Sequence, residues 1–218
     1  MTRLLFEKTG RASYISHLDL MRTMQRVFAR AGVNLRHTEG FNPHPYISLA
    51  LPLPVGQVSV CELLDFDPLD AGAEENLPEV LNPFMPEGIC AKLAYKPLRR
   101  FSEIAWVEIE GSLFYDSGVA STAREELSDY FTAESIIISK KTKRGLSEID
   151  IIPLINGIAF AQPDATHLAL RAVISAQNPT LNPDSIMAAI ARDRPEFSPD
   201  FAAFKRLEVY DGEVQIFR

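Results

Sequence analysis

The residues with the clearest chemical potential lie between Tyr14 and Pro45. Ser16-His17-Leu18-Asp19 sets a hydroxyl, an imidazole and a carboxylate within four positions, and Gly40-Phe41-Asn42-Pro43-His44-Pro45 holds a second imidazole between two prolines. His17 falls at the start of an expected helix, where exposed amides favour anions such as phosphate. An imidazole there can be a general base, a phosphate contact or a metal ligand, or a structural side chain that completes the turn. Pro43 and Pro45 fix φ and stiffen the backbone on either side of His44. Rigid loops with polar tips are favoured places for binding residues. The plainer alternative is a turn that packs Phe41 into the core. His37 reads as an ordinary exposed strand residue.

Two basic groups stand out besides the histidines. Arg22, Arg26 and Arg30 recur every fourth residue along one helix face, near Asp19. Guanidinium groups in such a ridge suit phosphates, because the planar fork makes paired hydrogen bonds. Lys140, Lys141, Lys143 and Arg144 cluster at an expected hairpin tip. Either group can also be a solvated surface. Together they raise RNA or an acidic protein as a partner. His17, His44 and Glu62 could be assembled into a metal site by the fold, but their spacing matches no zinc pattern, so no metal and no cofactor are expected. Ser16, His17 and Asp19 lie too close along the chain for a catalytic triad. No glycine-rich nucleotide loop occurs, and no aromatic signature of ordinary RNA-recognition sheets.

The chain has 218 residues, 46% of them hydrophobic and 23% charged, which suits one large or two small globular domains. No stretch approaches the roughly 20 apolar residues that span a bilayer. The first residues read as a strand, not a signal peptide, so a cytoplasmic protein is expected. Cys61 and Cys90 sit in apolar settings that suggest reduced, buried thiols. The formal net charge of -7 argues against indiscriminate nucleic-acid binding. The charge is uneven, however. Residues 1–50 hold seven Arg or Lys against three Asp or Glu, a balance of +4, and residues 51–90 hold eight acidic residues and no basic one, a balance of -8.

These residues are carried by an alternation of strands and helices. Leu4 to Lys8 is a strand. Ser16 is an N-cap with Asp19 three positions on, and the helix runs to about Ala31 and stops at Gly32. Leu20, Met24, Val27 and Ala31 form its buried stripe. Tyr46 to Leu51 and Val60 to Phe66 are strands joined through Pro52 and Pro54. A second helix lies between Ala73 and Phe84, weakened by Pro78, and Ile89 to Tyr95 is a fourth strand. After Pro97 to Arg100 a similar series follows: strands at Ala105 to Tyr115, Ser135 to Lys141, Ser147 to Ile152 and Thr166 to Ala176, with helices at Thr122 to Phe131 and Asp184 to Arg192. Phe204 to Tyr210 and Glu213 to Phe217 flank Asp211-Gly212, a hairpin signal. The expected class is α+β, with two tandem ferredoxin-like (βαββαβ) halves and antiparallel sheets. The expected domains are residues 1–97, with the His17 and His44 motif, and residues 101–218.

The run Tyr14 to Arg22, then Ala31-Gly32, then Thr38 to Pro45 and on through Ile47 to Gly56, resembles a bacterial family of unknown function linked to radical-SAM proteins. Members of that family form a C-terminal extension of a radical-SAM protein or are encoded beside one. The resemblance is strongest over about the first 65 residues. It implies a radical-SAM enzyme as working partner, and this chain lacks the three-cysteine cluster motif of that enzyme. Neighbouring ribosomal-protein and ribonuclease genes in some members imply RNA or ribosome modification. A more distant similarity, in architecture, is to the repeat-associated RNA endonucleases of CRISPR systems, which implies metal-free cleavage by His17 with Tyr14. The glycine-rich loop usual in those enzymes is absent.

Two functions follow. The favoured one is a non-catalytic accessory or binding protein that works with a radical-SAM enzyme in RNA or ribosome-related modification. Its binding residues would be His17, Asp19, Arg22, Arg26, Arg30, Phe41, Asn42, His44, Lys140, Lys141, Lys143 and Arg144. The alternative is a metal-independent RNA endonuclease in which His17 takes the proton of a 2′-hydroxyl.

Overall fold

The computed structural model describes residues 1–69, 76–142 and 145–218. The chain is α+β, with antiparallel strand pairing and four helices among the described residues. It divides into two compact units, Met1–Glu103 with Phe217–Arg218, and Ile104–Ile216.

The first unit runs β1 (Thr2–Lys8), α1 (His17–Arg30), β2 (Ile47–Leu49), β3 (Val58–Phe66), α2 (Leu77–Leu81) and β4 (Ile89–Tyr95). Its strands lie in the order β4-β1-β3-β2. Period-two alternation on β1 sends Leu4 and Phe6 into a core with Leu64 and Phe66 of β3. From α1 come Leu20, Met24, Val27 and Phe28. Phe28 lies against Phe66 with ring centroids 4.7 Å apart. Ala31 is only half-buried, so Phe28 widens the expected stripe.

Gly32 adopts φ +73 just past the helix, a conformation that favours glycine and stops the helix there. Pro78 does not interrupt α2. It sits in the first turn, where its missing amide has no intrahelical partner to lose. The stretch 73–75 of the expected second helix lies outside the described residues. Asn82 then fixes β4 by a two-way bond, its side chain donating to Ala91 O at 3.0 Å and accepting from Ala91 N at 2.8 Å.

The other face of this sheet holds a charged pair. Arg3 and Asp65 are cross-strand partners. Arg3 Nε donates to Asp65 Oδ1 at 2.7 Å, and Nη2 donates to Asp65 Oδ2 and Arg99 O, each at 2.9 Å. The guanidinium carbon lies 4.3 Å from the Phe101 ring centroid and 5.0 Å from that of Phe217.

The second unit runs β5 (Trp106–Phe114), α3 (Ala123–Tyr130), β6 (Ile137–Thr142), β7 (Gly145–Asp150), β8 (Ile155–Asp164), β9 (His167–Ser175), α4 (Pro183–Asp193) and β10 (Phe201–Tyr210). Its main sheet has the order β10-β5-β9-β8, and β6 and β7 pair antiparallel in a two-stranded sheet of their own. Strand β8 was not expected, because Gly157 and Pro163 obscure its pattern. The expected strand at Glu213 to Phe217 is absent. Asp211 Oδ1 accepts from the amides of Glu213 at 3.0 Å and Gln215 at 2.9 Å, and Val214 takes φ +58. Amides used in this way close a wide turn instead of a ladder. Only a single bridge, Tyr210 to Ile216, survives.

Candidate nucleic-acid interface

The site begins with Lys8. It shares the core-facing side of β1 with Leu4 and Phe6 and is 1% exposed. Its ammonium donates to Ser13 O at 3.1 Å and to Ile15 O at 3.0 Å. A buried ammonium needs such acceptors. The turn between β1 and α1 is thereby tied to the strand. Gly56 N donates to Ser13 O at 3.0 Å and brings in the Pro52–Gly56 connection. Tyr14 stands on this turn and is 73% exposed. Sequence reasoning missed Lys8, although its place two positions beyond Phe6 was the available signal.

At the start of α1, the Asp19 amide donates to Ser16 Oγ at 3.2 Å and the Ser16 hydroxyl donates to Asp19 Oδ2 at 2.7 Å. Arg22 Nη1 donates to Asp19 Oδ1 at 3.1 Å. The Ser16 hydrogen bond, then the Arg22 one, hold the Asp19 carboxyl below its ordinary range. Asp19 is therefore a firmly ionised capping residue. His17 is half-buried and Leu18 is exposed. Among the described residues no hydrogen bond joins His17 to Tyr14.

The arginine ridge divides in two. Arg22 is engaged by Asp19. Arg26 and Arg30 are exposed and have no ion pair among the described residues. They border a cleft of about 400 Å³ with Thr23, Pro83, Phe84 and Met85. Phe84 is 40% exposed. It follows α2 in sequence and carried no signal, because its place beside α1 depends on the fold.

The loop of His44 is organised by Thr38. The Thr38 amide donates to His44 O at 2.9 Å, and the His44 amide donates to Thr38 Oγ1 at 3.2 Å. His44 Nδ1 lies 3.1 Å from Thr38 Oγ1 and 3.2 Å from Asn42 O. Gly40 takes φ +130, which glycine alone adopts readily. Phe41 does not pack into the core; it is fully exposed, and its neighbour Asn42 is exposed. A bridge from His37 to Pro45 closes the loop. His37 Nδ1 lies 3.1 Å from Leu35 O. Among the described residues, the hydrogen bonds of the His44 ring are made within its own loop, and none reaches His17.

Lys143 and Arg144 lie outside the described residues, as do the side chains of Lys140 and Lys141, whose backbone belongs to β6. Glu62 is 2% exposed on β3. Among the described residues no three His, Cys, Asp or Glu side chains group as a metal site. Cys61 is buried, Cys90 is half-buried, and neither forms a disulfide. No helix among the described residues is long and apolar enough to cross a membrane.

No curated protein matches the chain. Among solved structures, a chain of a Cbf5-Nop10-Gar1 complex is similar with TM-score 0.56 and 8% identity, over 95% of this chain and 48% of that one. A chain of an archaeal box H/ACA sRNP Nop10-Cbf5 complex follows with TM-score 0.48 and 9% identity, over 94% of this chain and 46% of that one. This chain thus spans about half the length of both, and at such identities the likeness to the first concerns the fold alone. Residues 2–183 match the family described as uncharacterized protein conserved in bacteria (DUF2344), and the chain belongs to that family.

Proposed function

We propose that this member of the bacterial family is a non-catalytic accessory protein that holds RNA for a partner radical-SAM enzyme in the cytoplasm. The modification of RNA or of a ribosomal component is the corresponding process. The observation that carries the reading is the pair Arg26 and Arg30, exposed and without ion pairs among the described residues, beside a cleft walled by Phe84. Two unneutralised guanidiniums suit phosphates, and an exposed ring suits a base. The partner enzyme comes from the sequence resemblance over Tyr14 to Gly56. The reading also takes residues 1–97 and 101–218 as two ferredoxin-like domains. Its support is the strand order, β4-β1-β3-β2 in one unit and β10-β5-β9-β8 in the other.

The test is the salt dependence of binding to a single-stranded RNA. Each phosphate contact on a single strand contributes about 0.7 to the slope of log affinity against log salt. Arg26→Ala/Arg30→Ala should weaken binding and flatten that slope by about 1.4. Arg22→Ala should change it less, because Asp19 already neutralises Arg22. An unchanged slope in the double variant removes the ridge from the interface. Absence of association at micromolar concentration with both RNA and the radical-SAM partner ends the proposal.

A further inference from the structure

Three rings lie in a row across the second unit. Phe201 of β10 is the direct cross-strand partner of Phe114 of β5, and Phe114 is that of His167 of β9. Direct partners on adjacent antiparallel strands point to the same face. The Phe114 and His167 rings are stacked, with centroids 5.0 Å apart and planes 10° apart. Phe114 and Phe201 continue the stack at 6.1 Å and 27°.

This is the face of the sheet turned away from the core. Ile109 and Leu113 of β5, Leu168 and Leu170 of β9 and Phe204 of β10 are buried on the other side. Phe114 is 40% exposed and Phe201 is 62% exposed. Beyond the rings comes a row of small residues, Ala203, Ser112 and Ala169, and then a charged row, Lys205, Glu110 and Arg171.

We propose that this row is a stacking platform for a base of single-stranded RNA. The base would add to the stack at Phe201, its most exposed ring. The inference rests on the RNA reading above but places a second contact in a different unit, by different chemistry. Every base has a π-face, so stacking on an aromatic ring tolerates any sequence. The small residues leave room for the strand to run along β10. Lys205, about 13 Å from Phe201 by strand geometry, has no ion pair among the described residues and can meet a phosphate further along. Net attraction is weak. Arg171 is bound to Glu108 at 2.5 Å, and Glu110 faces Lys205. Two cations and two carboxylates therefore cancel, and stacking carries the contact.

The experiment uses the full chain and a 12-nucleotide mixed-sequence RNA carrying one 2-aminopurine, whose fluorescence falls when it stacks. Phe201→Leu keeps an apolar side chain but removes the ring. It should weaken binding about ten-fold and abolish the quenching, with the salt slope unchanged. Phe201→Trp should bind at least as tightly as the parent. If Phe201→Leu binds and quenches like the parent, the platform is overturned and the arginine reading stands. If the parent chain fails to bind the RNA, both are overturned. Because Phe201 is largely exposed, both variants should keep the parent's circular dichroism. If Phe201→Leu does not, the Phe201→Trp comparison decides: loss of quenching there also overturns the platform.

Discussion

Removing Asp65 should unfold the first unit far more readily than removing Arg3 and Asp65 together. The Arg3 side chain is 0% exposed, and that of Asp65 is 11% exposed. Three of the hydrogen bonds at the guanidinium are spent here, two on the carboxylate and one on Arg99 O. Asp65→Ala leaves a buried cation with one carbonyl and the faces of Phe101 and Phe217. Breaking a buried pair in this way costs about 3–5 kcal/mol, against a total stability of about 5–15 kcal/mol for a typical domain. Arg3→Met/Asp65→Leu removes both charges and refills the space, a change that is about neutral in comparable sites. The double variant should therefore be more stable than Asp65→Ala by about 3 kcal/mol, a large coupling energy. Urea unfolding by far-ultraviolet circular dichroism reads the whole chain, and fluorescence of Trp106, the only tryptophan, reads the second unit. A loss of less than about 1 kcal/mol in Asp65→Ala would refute the reasoning, since it would mean that water reaches the guanidinium.

Two further outcomes follow from local geometry. Gly88 has φ +85, and a Cβ there would lie 2.3 Å from Thr9 O. Gly88→Ala should lower stability by about 2–4 kcal/mol. Gly40→Ala, with open space around it, should cost only the backbone strain of about 1–2 kcal/mol; equal thermal midpoints for the two variants would contradict the packing. In the second unit, the Arg192 guanidinium and then the Tyr130 hydroxyl hold Asp193 down at about 2, below an unfolded value of about 3.9. A depressed carboxylate stabilises the fold above its unfolded pKa and stops doing so as pH falls through its folded one. The urea midpoint should drop between about pH 4 and pH 2, and Asp193→Asn should show a smaller drop; superimposable pH profiles would remove Asp193 from acid unfolding.

Local signals proved readable where one short segment decided the outcome. Ser16 and Asp19 announced the start of α1, and Gly32 its end, because capping involves neighbours in sequence. The buried stripe of α1 was legible at Leu20, Met24 and Val27, but not at Phe28, which is buried, or at Ala31, which is only half-buried. Illegible features depended on partners far away. Arg3 looks like any exposed N-terminal charge until Asp65 arrives across the sheet. Lys8 looks like the polar end of a strand until the turn folds back over it. Strand β8 carries Gly157 and Pro163, and only pairing with β9 makes it a strand. The row Phe114, His167 and Phe201 has no spacing that a sequence pattern could catch, since two strand registers must agree to align it.

The Tyr14–Pro45 motif changes meaning once its hydrogen bonds are counted. Ser16 and Asp19 cap a helix, Arg22 completes that cap, and Thr38 with His44 closes a loop around Gly40. These residues are explained by folding, and a ligand is not needed to account for them. What folding does not explain is the remainder: Tyr14, Leu18 and Phe41, all exposed, and Arg26 and Arg30, which have no ion pair among the described residues. An apolar side chain left in water gains nothing for the fold, and an exposed arginine without a partner contributes little. The two kinds of remainder call for different partners. The guanidiniums beside Phe84 fit a nucleic-acid backbone, whereas Tyr14, Leu18 and Phe41 offer apolar area suited to a protein surface. On the proposed reading, Arg26 and Arg30 on α1 would hold RNA, and Tyr14, Leu18 and Phe41 would meet the protein partner. In that arrangement alanine at Arg26 and Arg30 should spare the protein contact, and alanine at Tyr14 and Leu18 should spare RNA binding. If either pair of changes abolished both, the division of the motif would be wrong.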